Sequence, residues 1–140
     1  MKQFLLKRSK LNPILSPVPD SPWQSMVCTN PGVVYDSSRG KFVLLYRAAG
    51  HDLEHKIYFG LAESDDGERF TRVSDKPVFG PNVDGGPDAG CVEDPRVMKI
   101  GEWYFVTYAS RAFPPGQYWL MSGNPCKAPQ LPEVFPARFR

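Results

Sequence analysis

The chain has 140 residues, 41% of them hydrophobic and 23% charged, with a net charge of +2 from 17 basic and 15 acidic side chains. That predicts one domain with enough apolar mass for a core, and the even charge balance argues against nucleic acid or a membrane surface as partner. Gly 12 and Pro 15 predict many turns but fall short of the bias of a disordered chain.

Cys28, Cys91 and Cys126 show no CxxC spacing, which fits reduced thiols better than a disulfide framework. The apolar run Phe4-Leu5-Leu6 is too short for the core of a secretion signal. No run reaches the ~18 apolar residues of a membrane-spanning helix. The expectation is a cytoplasmic protein.

Residues 1–29 hold Asn12-Pro13, Ser16-Pro17, Val18-Pro19 and Ser21-Pro22. A residue before proline is pushed towards extended backbone, so this stretch reads as an irregular lead-in, anchored by Trp23. Strands follow. Gly32–Tyr35 is a short apolar run, Asp36–Gly40 a turn cluster, and Lys41–Arg47 a second strand, together a hairpin. Lys56–Ala62 is a third strand, Ser64–Arg69 a turn rich in Asp and Gly, and Phe70–Val73 an alternating edge strand. Four successive antiparallel strands match one blade of a β-propeller. Residues 74–91, with Pro77, Pro81, Pro87 and Gly85-Gly86, form a long loop of the kind that is usually functional.

After the loop the pattern returns. Arg96–Ile100, a turn at Gly101-Glu102 and Trp103–Ala109 lie against the first hairpin, with Asp94-Pro95 in the place of Asn30-Pro31. An internal repeat argues for an array of blades. Residues 110–140 carry one further candidate strand, Gln117–Met121, and then lose pattern. The chain thus reads as an all-β, partial β-propeller domain over 1–140. It covers roughly two blades, with an irregular lead-in (1–29) and an irregular tail (122–140).

The chemistry concentrates in Gly90-Cys91-Val92-Glu93-Asp94-Pro95-Arg96, where a long loop enters a strand. Asp94 reads either as a working acid or as the start of a turn, with Arg96 or Arg47 able to hold a carboxylate ionised. Asn30 reads either as a donor and acceptor for sugar hydroxyls or as a turn-initiating Asn-Pro. Arg47 and Arg111 end matching strands and read as anion-binding forks or as solvated strand ends. Asp66 reads as structural. His51 and His55 are four apart in a loop with no third ligand, so no metal is expected. Neither a Gly-x-Ser-x-Gly elbow nor a glycine-rich phosphate loop is present.

Asn30-Pro31-Gly32, Tyr46-Arg47-Ala48, Gly60–Phe70, Gly90–Arg96 and Tyr104–Tyr108 resemble, in order and spacing, the N-terminal part of glycoside hydrolase family 130, the β-mannoside phosphorylases and related β-mannosidases. The Ser-x-Asp-Gly-x-x-Phe turn is shared by many propeller glycosidases; the ordered set with Glu-Asp-Pro-Arg is more specific. The resemblance implies a five-bladed β-propeller and an inverting phosphorolysis of β-mannosides to mannose 1-phosphate. Hydrolysis by water and a non-catalytic carbohydrate-binding propeller are the rival readings. It implies Asp94 as general acid, passing its proton through a hydroxyl of the bound mannose. Asn30, Arg47, Glu93 and Arg96 are implied on the substrate, and Arg111 near the phosphate. A small-molecule β-mannoside is the expected partner. No cofactor is implied beyond inorganic phosphate as co-substrate, and a homo-oligomer of the full-length parent is compatible with all of this. Family members run to about twice this length or more, so further phosphate-binding residues belong to blades outside these 140 residues.

Overall fold

The computed structural model describes residues 5–51, 56–82, 84–112 and 136–138. The strands are β1 (Val27–Asp36), β2 (Lys41–Ala49), β3 (Ile57–Ser64), β4 (Thr71–Arg72), β5 (Cys91–Ile100), β6 (Trp103–Arg111) and β7 (Pro136–Arg138). No helix occurs among the described residues. All pairing is antiparallel, in two sheets ordered β1-β2-β3-β4 and β5-β6-β7. The first is the expected four-stranded meander. The fold is all-β. The candidate strand at Gln117–Met121 lies outside the described residues.

Turn chemistry closes the hairpins. Asp36 Oδ1 accepts the Ser38 amide at 3.1 Å and its hydroxyl at 2.6 Å, and Gly40 takes a φ of 65°. At the β3–β4 turn, Asp66 Oδ1 accepts the amides of Glu68 and Arg69, and Gly67 supplies a φ of 74°. Those amides, Arg69 first, hold the Asp66 carboxyl well below the usual range, which fits its structural reading.

Strand alternation gives the first sheet two apolar faces. On one, Leu44, Tyr46, Ala48 and Ala62 pack with Trp23 from the lead-in. The Trp23 indole N–H donates to the Asp75 carbonyl at 2.8 Å, so the lead-in is tied to the segment after β4. Tyr46 lies flat across Gly60, its cross-strand partner; a Cβ at Gly60 would fall 2.1 Å from the ring. The other face meets β5 and β6. There Phe59, Phe79 and Tyr108 form a cluster with centroids 5.3–6.0 Å apart, each ring pair contributing about 0.5–1.5 kcal/mol beyond its buried area. Phe79 comes from the long loop and bonds the Phe59 backbone, so that loop is pinned to β3. Beside the cluster a cavity of about 280 Å³ remains between the sheets, lined by Val43, Leu45, Leu61, Val97 and Val106 among others.

A polar staple also joins the sheets. The buried Asp36 carboxylate accepts Lys99 Nζ at 2.8 Å and the Tyr104 hydroxyl through Oδ2. These donors, Lys99 foremost and then Ser38 and Tyr104, hold the Asp36 carboxyl far below its ordinary range.

Two strands start earlier than their composition suggests. β1 begins at Val27 rather than Gly32, and β5 at Cys91 rather than Arg96. Asn30-Pro31 and Asp94-Pro95 therefore lie inside strands. Each sits at a register shift, between Thr29 and Gly32 on β1 and between Glu93 and Arg96 on β5. Proline has no N–H to give to a ladder, and a bulge is where a strand tolerates that.

Candidate active site

The two bulges build the site. At both, the residue before proline takes a left-handed conformation, with φ 45° at Asn30 and 52° at Asp94. Asn and Asp adopt this region more readily than other side-chain-bearing residues. The bulges put the two side chains against each other. Asn30 Nδ2 donates to Asp94 Oδ1 at 2.5 Å. The Thr29 hydroxyl donates to Asn30 Oδ1 at 2.9 Å, which orients the amide with its NH2 towards Asp94. Gly32 permits the approach of β1 to β5, because a Cβ there would lie 2.5 Å from the Pro95 carbonyl oxygen.

Two arginines complete the cluster. Arg47, paired with Thr29 across the β1–β2 ladder, brings Nη1 to 2.9 Å from Glu93 Oε2 and 3.2 Å from Asp94 Oδ1. Arg111, paired with Cys91 across β5–β6, brings Nη2 to 3.0 Å from Glu93 Oε1. Arg111 is therefore not the ladder equivalent of Arg47. The position matching Thr29–Arg47 is Glu93–Ala109, and Arg111 matches Ala49. Glu93 is 7% exposed and both its oxygens face guanidinium groups. A buried carboxylate needs such pairing to remain charged.

The Cys91 thiol donates to Glu93 Oε1 at 3.2 Å. Burial first, and then Glu93, push that thiol up to about 12, so it is neutral at physiological pH. Arg96 turns Nη1 back onto the carbonyls of Asp94 and Pro95, at 3.1 Å each, and braces the bulge. Arg47 Nε is buried without a partner among the described residues. Close by, the Tyr108 hydroxyl donates to Asp88 of the long loop at 2.9 Å; burial first and then Asp88 raise its pKa.

The Asp94 side chain is 39% exposed. Among the described residues every bond made by its carboxylate goes to Oδ1, from Asn30 and Arg47. One oxygen is fixed, and the other carries no bond among the described residues. Such a carboxyl can present a proton to a bound molecule in one orientation.

Of the residues singled out in the sequence, Asn30, Arg47, Glu93, Asp94, Arg96 and Arg111 meet in this one cluster. Thr29 belongs to it too and carried no sequence signal beyond standing next to Asn30; Cys91 stood inside the motif but was read only as a reduced thiol. Among the described residues no group of three or more His, Cys, Asp or Glu could hold a metal ion. His51 is described; His55 lies outside the described residues.

Residues 5–123 match the family model of glycoside hydrolase family 130, described as beta-1,4-mannooligosaccharide phosphorylase. The chain is 35% identical over 128 residues to a beta-1,2-mannobiose phosphorylase of Thermoanaerobacter sp. (strain X514), covering 84% of the chain and 40% of that protein. It superposes with TM-score 0.61 and 30% identity on a solved structure of this family of mannoside phosphorylases, described as containing glycoside hydrolases that target beta-1,2 mannosidic linkages in Candida mannan; 74% of the chain and 33% of that one are covered. A glycosyl hydrolase from Bacteroides ovatus gives 0.60 and 29% over 74% of the chain and 33% of that one. The beta-1,2-mannobiose phosphorylase of Listeria innocua gives 0.58 at 20% identity, over 75% of the chain and 44% of that one, and supports the fold alone. The chain thus spans between a third and somewhat under half of the length of these relatives. By the family match and the chain's own site motif, it belongs to glycoside hydrolase family 130.

Proposed function

We propose that this chain forms the acid-bearing part of an enzyme that cleaves β-mannosides by inverting phosphorolysis. Asp94 is the general acid, and mannose 1-phosphate is a product. The observation that carries the reading is the clamp on Asp94: Asn30 and Arg47 bind Oδ1, and Oδ2, which carries no bond among the described residues, is the oxygen left for a bound molecule. A positioned acid of this kind is worth roughly 10²–10⁴ in rate. Asn30, Arg47 and Arg96 are assigned to the substrate side and Arg111 to the phosphate, whereas Glu93, expected on the substrate, is paired to Arg47 and Arg111 and stands behind them. The two sheets are the first two blades of a five-bladed propeller, whose remaining blades supply the rest of the phosphate site.

What favours phosphorolysis is the state of the second carboxylate. Inverting hydrolases use a free carboxylate to activate water. Glu93 is buried between two arginines and is poorly placed for that task. Phosphate is already an anion and needs donors rather than a base. Hydrolysis by water is the second reading, favoured by the 30% identical relative whose family description includes hydrolases acting on beta-1,2 mannosidic linkages.

The test is product analysis. The full-length protein incubated with β-1,2-mannobiose and inorganic phosphate should release mannose 1-phosphate in proportion to phosphate. Free mannose alone, formed equally without phosphate, would replace this reading with the hydrolase.

A further inference from the structure

We propose that Glu93 is a positioning residue that couples Arg111 of the second sheet to Arg47 of the first, and through Arg47 fixes the Asp94 carboxylate. This inference rests on the reading of Asp94 as the acid.

Three observations lead to it. Glu93 is the sole residue among those described to which both arginines are seen to pair, one at each oxygen, at 2.9 and 3.0 Å. Arg47 Nη1 serves Glu93 Oε2 and Asp94 Oδ1 together, so wherever Glu93 holds the guanidinium, Asp94 feels it. Glu93 is also closed off: it is 7% exposed, and the Cys91 thiol occupies Oε1 alongside Arg111.

The repeat sharpens the point. Thr29 occupies the place of Glu93 in the first bulge, since each is the last paired residue before the register shift. Thr29 bonds the Asn30 side chain directly, at 2.9 Å. Both bulges therefore carry the same device, a residue whose side chain sets the orientation of the group that follows it. The first does so with one hydroxyl and the second through an arginine. Glu93 has two carboxylate oxygens to do it with, so it also spans the boundary between the sheets. Arg47 and Arg111 then form one unit: displacing either moves the other.

Glu93→Gln, Glu93→Asp and Arg111→Met are compared with the unaltered chain. Nitrogen-15 NMR of the arginine side chains needs no turnover. Restrained Nη–H signals from Arg47 and Arg111 are expected in the unaltered chain and should be lost together in Glu93→Gln. In Arg111→Met the Arg47 signal should weaken or shift, although the changed side chain bonds Glu93 and not Arg47. Unmoved Arg47 signals in both variants would overturn the proposal. Should Glu93→Gln fail to fold, Arg111→Met decides alone.

Phosphorolysis by the full-length protein is the second readout. Glu93→Gln should lower kcat by about 10²-fold through misplacement of the acid. Its KM for mannobiose should change far less, and Glu93→Asp should recover part of kcat. A KM effect with kcat unchanged would make Glu93 a substrate ligand instead. If no form of the protein turns over substrate while the NMR coupling holds, the coupling stands and the reading of the reaction falls.

Discussion

Asn30 and Asp94 are 64 residues apart and occupy the same bulge in two successive sheets, and their side chains share a 2.5 Å hydrogen bond. Both backbones are left-handed there. The repeat is thus the means by which the site is assembled: one bulge presents a neutral donor, the other an acid.

Asn30→Asp tests that pairing. It keeps a side chain that tolerates φ 45° but replaces the NH2 donor with a second carboxylate against Asp94. Stability to urea at pH 7 should fall by about 1–3 kcal/mol, from a lost bond and like-charge contact. The deficit should narrow in acid as the new pair takes up a proton. Equal deficits at pH 7 and pH 4 would show that the contact carries no charge dependence.

Gly32→Ala tests the approach of the sheets. The added methyl would lie 2.5 Å from the Pro95 carbonyl oxygen, a backbone atom with no rotamer to yield. A loss of about 1–3 kcal/mol in urea unfolding is expected, as for overpacking. Gly40→Ala is the comparison. Its Cβ meets nothing within 4 Å, so its cost is confined to the φ of 65°.

Runs such as Phe42–Leu45 and Tyr104–Val106 announce strands by composition, because a buried pleated surface wants those side chains. The repeat was visible in the two X-Pro pairs. What composition could not give was register. Asn30 and Asp94 meet only because each strand slips at its bulge, and Arg111 reaches Glu93 from a ladder position two residues beyond the one that matches Arg47. Asp36 is a similar case. Its neighbours in sequence mark a turn, whereas Lys99 and Tyr104 reach it from the other sheet.

Asp36→Asn should show a particular pH signature. The Asp36 carboxyl is held below its unfolded value, chiefly by Lys99. Its contribution is therefore fully present above the unfolded value of about 4 and is lost as pH falls through the lower folded value. The stability difference between Asp36→Asn and the unaltered chain should be constant from pH 5 to 8 and shrink below pH 4. A difference that grows in acid would contradict the assignment.

Cys91 should resist alkylation. Its thiol is buried, raised to about 12 and donates to Glu93. Peptide mapping after iodoacetamide treatment at pH 8 should find Cys91 unmodified in the native chain and modified in denaturant. Labelling of native Cys91 as fast as in denaturant would show that the Glu93 pocket opens.

The most direct test of the account is the formation of mannose 1-phosphate from β-1,2-mannobiose and phosphate by the full-length protein and its Asp94→Asn variant. Asn keeps the shape and the tolerance for φ 52° but has no acidic proton to give. A loss of roughly 10²–10⁴-fold in kcat with the fold intact is expected. Phosphorolysis by Asp94→Asn at the unaltered rate would contradict it.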